Sequence, residues 1–85
     1  MYTIETRSRR AEKEYRNVLA LRQGIPEKLE KLKKNPRKEC QAHKLHGFEG
    51  YWSCWLGNDI RMVYEIDDKN KKIIVVKVGS HKIYG

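Results

Sequence analysis

The chain has 85 residues, a net charge of +8 and a sequence pI near 9.7. That length makes one domain, residues 1–85, with a modest core, and no apolar run is long enough to span a membrane. Two cysteines, Cys40 and Cys54, are too few and too irregularly spaced for a disulfide framework or a zinc site.

Residues 2–6 alternate, contain β-formers and read as a short first strand, with no leader ahead of it, so a reducing, cytoplasmic setting is expected. Ser8 caps a helix whose apolar stripe is Ala11, Tyr15, Val18 and Leu19, spaced as one helical face. Gly24 stops this helix and Pro26 opens a second. Ile25, Leu29 and Leu32 form that helix's narrow apolar edge, and Pro36 closes it. Residues 36–50 carry Pro, Gly, His and several cations and read as a connecting loop.

Three strands follow. Residues 51–56 are aromatic and strand-like, and Gly57-Asn58 is a hairpin turn. Residues 59–66 form the next strand, residues 67–71 a polar turn, and residues 72–78 a β-branched strand. The order is β-α-α-β-β-β. This is an α+β domain in which a helical hairpin packs on one face of a small, mainly antiparallel sheet.

The charge is lopsided. Residues 1–46 carry 13 Lys/Arg against 6 Glu, whereas residues 47–85 carry 6 Lys/Arg against 5 acids. Such an excess suits a polyanion, or an acidic protein; the plainer reading is a solvated basic helix face. Arg37, Lys38, Lys44 and His46, all in the 36–50 loop, are the candidate RNA contacts nearest the sheet.

Alternation sets Ile60, Met62, Tyr64 and Ile66 under the helices and turns Arg61, Val63 and Glu65 to the open face. An Arg in mid-strand either pairs with an acid on a neighbouring strand or binds a phosphate. Trp52 and Trp55 face opposite sides, so one belongs to the core and the other can offer a base-stacking platform. His81 follows Gly79-Ser80 at the mouth of the sheet; a histidine can give or take a proton near neutrality, although a lone one is usually just a surface residue. His43 and His46 have no Cys or carboxylate set to complete a metal site, and no cofactor is indicated.

The runs Leu45-His46-Gly47, Tyr51-Trp52, Asp59 to Ile66 and Val78 to Tyr84 resemble the RelE/ParE superfamily of toxins, over essentially the whole chain. Within it the chain is most similar to YafQ-like ribonucleases. His43, Asp59, His81 and Tyr84 match that branch's functional positions, while Trp55 stands where the branch has a further histidine. Arg61 and Tyr84 match the RelE version instead.

The resemblance implies a ribosome-dependent mRNA endoribonuclease, held inactive by a cognate antitoxin in a hetero-oligomer, with mRNA and rRNA as its other partners. It would cleave by attack of the ribose 2′-OH on the adjacent phosphate, without metal. His81 would be the general acid, Arg61 the phosphate-stabilising cation with Lys82 as helper, and Asp59 or His43 the base. Tyr84 would orient the substrate and Trp55 would stack on it. The alternatives are a ParE-like toxin that poisons DNA gyrase, and a non-catalytic RNA-binding module or degenerate toxin.

Overall fold

The computed structural model describes residues 1–21, 23–47, 49–57 and 59–80. Its elements are β1 (Thr3–Thr6), α1 (Arg9–Leu21), α2 (Ile25–Lys34), a 3-10 turn (Glu39–Gln41), β2 (His43–Lys44), β3 (Tyr51–Trp55), β4 (Ile60–Asp67) and β5 (Lys72–Ser80). The five strands form one sheet in the order β1-β5-β4-β3-β2. β1 runs parallel to β5 and the other pairings are antiparallel. The α+β architecture is therefore the expected one, with a mixed sheet.

Local chemistry explains the helices. The Ala11 N–H donates to Ser8 Oγ at 3.1 Å, satisfying an otherwise orphaned donor in the first turn of α1. Between α1 and α2, Gly24 adopts φ +89°, a conformation open mainly to glycine. Pro26 then sits in the first turn of α2, where its missing N–H costs nothing. The apolar stripes meet the sheet as expected. Val18, Ile25, Leu29 and Leu32 join Cys54, Ile60, Met62, Tyr64, Ile73, Val75 and Val78 in one buried cluster, and Tyr15 and Leu19 pack against it.

Two local features depart from the expectation. Residues 36–50 are not simply a loop, because His43 and Lys44 pair with Ser53 and Trp52 and add an edge strand. Two residues are too short for alternation to register. The second departure lies in β5. Val63 pairs with Lys77 but Tyr64 pairs with Val75, so Val76 is an extra residue in a β-bulge. Past the bulge the inward series shifts from Ile73 and Val75 to Val78. The Val78 N–H is received by Glu14 Oε1 of α1 at 3.0 Å, which ties the helix to the irregular strand.

Polar ties close the far end of the sheet. The Tyr64 hydroxyl donates to the Pro36 carbonyl at 2.6 Å in the interior, and burial pushes its ionisation well above the usual phenol range. Arg37 forms a two-pronged pair with Asp68, at 3.0 and 2.7 Å. The Tyr2 hydroxyl donates to the same carboxylate at 2.5 Å. Cys54 is fully buried, and burial raises its thiol far above the usual range, as befits a small core residue. Among the described residues no helix is long and apolar enough to cross a membrane.

Candidate functional site

Directly paired residues on neighbouring strands share a face, so the register maps the face turned away from the helices. One row is His43, Ser53, Val63 and Lys77. The next is Trp55, Arg61 and Gly79, and a third holds Tyr51, Glu65 and Ile74. The assignment of Arg61 and Trp55 to the open face, and of Trp52 to the packed face, follows alternation as expected. Trp52 leans on the core cluster.

Arg61 is half-buried, and its guanidinium lies 4.9 Å from the centre of the Trp55 ring. Its directly paired neighbours are Trp55 and Gly79, neither of them an acid. Glu65, four residues along β4 on the same face, forms an ion pair with Arg7. Arg7 also donates to the Tyr51 hydroxyl at 2.5 Å. One end of this face is thus a closed Arg7–Glu65–Tyr51 group, and the other carries Arg61 on an aromatic support. A guanidinium supported on an indole face keeps its N–H donors in a planar fork, which suits a phosphate.

His43 is exposed on β2, the edge strand. Its Nδ1 lies 3.1 Å from the Gln41 carbonyl oxygen. A carbonyl can only accept, so Nδ1 carries the proton in this contact and Nε2 keeps its lone pair in the neutral ring. Two strand spacings and two residues put the Cα atoms of His43 and Arg61 about 12 Å apart. Two long side chains can close that gap around a nucleotide.

Two residues of this face were not singled out by sequence. Lys77 is exposed and lies diagonally from Arg61, about 7–8 Å away between Cα atoms. Alternation counted from Ile73 and Val75 would turn it inward; the bulge turns it out. Ser53 is wholly buried on this same face, and its hydroxyl has no hydrogen-bond partner among the described residues. A small polar residue between Tyr51 and Trp55 was the available signal, and periodicity gives such a residue no special weight.

Asp59 lies two residues ahead of Arg61 in the chain. It is exposed just ahead of β4 and borders an open hollow of about 380 Å³ with Glu14, Val18, Leu21 and Ser80, on the α1 side of the sheet end. Ile60 pairs with Ser80, the last described residue of β5. His81, Lys82 and Tyr84 lie outside the described residues.

The expected RNA contacts divide. Trp55 joins Arg61. Arg37, Lys44 and His46 instead border a hollow of about 740 Å³ at the opposite end of the sheet, together with Trp52. Lys38 is exposed on the connector between α2 and β2. Among the described residues no three His, Cys, Asp or Glu side chains converge as metal ligands.

Residues 6–83 match the family model described as the ParE toxin of the type II toxin–antitoxin system, parDE. No curated protein matches the chain. Among solved structures the chain is similar to one from the intact E. coli RelBE toxin–antitoxin complex, at 27% identity over 94% of this chain and 96% of that one, TM-score 0.73. It is also similar to a metal-bound toxin from Helicobacter pylori, at 25% identity over 100% of both chains, TM-score 0.72. A chain of the E. coli DinJ–YafQ complex shares the fold, at 19% identity over 98% of this chain and 97% of that one, TM-score 0.68.

Proposed function

The chain belongs to the ParE toxin family of type II toxin–antitoxin systems, within the RelE/ParE superfamily, and on that footing we propose that it is a ribosome-dependent mRNA endoribonuclease. The observation that carries this reading is the Arg61 guanidinium, held on Trp55 on the face opposite the helices, with His43 across the same face. The ribose 2′-oxygen attacks the adjacent phosphorus and the bond to the 5′-oxygen breaks. A base takes the 2′ proton, an acid gives one to the leaving oxygen, and a cation steadies the charge gathering on the phosphate.

The base is His43, with Nε2 available, or Asp59, two residues ahead of Arg61. Arg61 is the cation at the phosphate and Lys77 a second one, delivered by the bulge. His81 is the acid, with Lys82 beside it and Tyr84 orienting the substrate; these assignments rest on the family resemblance. An antitoxin is the natural partner, as in the RelBE and DinJ–YafQ complexes.

Arg61→Ala and His81→Ala, made singly, test the site in a translating extract by mRNA cleavage. Loss of cleavage in both is expected; undiminished cleavage in both would sink the assignment. The family's ParE name favours a second reading, a gyrase-poisoning toxin. It predicts blocked supercoiling by purified gyrase with intact mRNA.

A further inference from the structure

The hollow at the far end of the sheet is separate from the Arg61 site, and its chemistry is that of an RNA contact. Adjacent residues on a strand point to opposite faces. On the two-residue edge strand β2, His43 therefore faces the Arg61 side, and Lys44 faces the side of Trp52, its directly paired neighbour. Cβ atoms of such a pair stand about 5 Å apart, and both residues line the hollow. His46 is exposed on the same rim.

Trp52 is half-buried, with the Arg37 guanidinium 5.7 Å from its ring centre. Arg37 is in turn fixed by its two-pronged pair with Asp68. The ring is thus held by the core cluster and by the Arg37 guanidinium, and it borders about 740 Å³ of open space. Glu49 is the acid on that rim, set against Lys44, His46 and Arg37. A rigid aromatic ring with a cation beside it accepts a base and its phosphate, in single-stranded RNA of any sequence.

We infer that this hollow is a second RNA subsite, in which a nucleotide flanking the cut stacks against Trp52 and sets its phosphate on Lys44 and His46. The strand reaches it by crossing the sheet edge at β2, passing His43 on one side and Lys44 on the other. Trp52 and Trp55 are three residues apart on β3, about 10 Å along the strand. The edge is only one short strand wide there. This inference rests on the reading of the chain as an RNA-directed toxin.

The chain's two tryptophans make it testable. Trp55→Phe leaves Trp52 as the reporter, and Trp52→Phe leaves Trp55. The probe is a 2′-O-methyl RNA hexanucleotide, which cannot be cleaved by 2′-OH attack. The Trp52 reporter should be quenched on titration. Lys44→Ala combined with His46→Ala, in the otherwise native chain, should weaken binding measured by fluorescence anisotropy. Loss of the Lys44 phosphate contact should also flatten the dependence of log affinity on log salt by about 0.7.

Quenching of the Trp55 reporter alone, or unchanged affinity and salt slope in the double variant, would overturn the subsite. So would quenching of Trp52 by an acidic peptide but not by RNA. Because the probe is not cut, the two readings fail separately. Cleaved mRNA without a Trp52 response removes the subsite and leaves the nuclease. A Trp52 response without cleavage does the reverse.

Discussion

Arg61 and Trp55 are neighbours because β3 and β4 pair Trp55 with Arg61, and both face outward because alternation leaves them no other choice. That much was legible in the sequence: apolar residues at 60, 62, 64 and 66 force 61 outward. The register adds which residues stand beside it: Trp55 and Gly79 flank Arg61, and Arg7 stands beside Glu65. If Arg61 meets the phosphate in the transition state, Arg61→Ala lowers kcat by about 10²–10³-fold. Arg61→Lys restores charge but not the planar fork, so single-turnover kinetics should place it between the two. Lys77 was not legible, because the bulge at Val76 inverts its parity. Lys77→Ala is expected to lower kcat/KM about tenfold, the equivalent of ~1.4 kcal/mol, and to leave the melting temperature unchanged. A change in melting temperature without one in kcat/KM would make Lys77 a structural residue.

The elements were legible to the degree that each carries a periodic face or a chemical punctuation mark. α1 and α2 have both: an apolar stripe, with Ser8 at one boundary and Gly24-Ile25-Pro26 at the other. β2 has neither, being two residues long and held by its pairing with β3. Its absence from the sequence reading matters to the site, since it carries His43 to the Arg61 face and Lys44 to the other. The bulge has the same character. It is stabilised from outside the strand, by Glu14 of α1 receiving the Val78 N–H, and no local pattern in 72–78 announces it. The helix boundary gives the cleanest element-scale prediction. Ser8→Ala removes the cap and should destabilise the domain by about 1 kcal/mol, whereas Ser8→Asp should not. Urea unfolding of the pair measures both, and equal loss in the two variants would mean that the Ser8 hydroxyl is not the cap.

At the scale of the whole molecule, the excess of positive charge is real but unevenly available. Arg10–Glu14 and Arg16–Glu12 pair along α1 at 3.6 and 3.5 Å, and such exposed pairs hold a helix only weakly. Arg37 is committed to Asp68, whereas Lys44, His46 and Lys77 stand exposed at or near the two proposed RNA contacts. The sequence located the basic half of the chain correctly and could not say which cations brace the fold. Asp68 does brace it: the Arg37 guanidinium, and then the Tyr2 hydroxyl, hold its carboxyl well below the usual carboxylate range. A lowered folded-state value stabilises the fold fully above the unfolded aspartate value of ~3.9. The contribution is lost as pH falls through the folded-state value. Thermal melts of Asp68→Asn should therefore show lower stability near neutrality and a shallower decline on acidification; a decline as steep as the parent's would remove Asp68 from the account.

The central claim is that this face cuts mRNA, and mapping of mRNA 5′ ends after induced expression of the toxin without its antitoxin tests it most directly. The account predicts growth arrest with new 5′ ends phased to the reading frame, absent from the Arg61→Ala strain. Growth arrest with intact mRNA and impaired DNA supercoiling would contradict it.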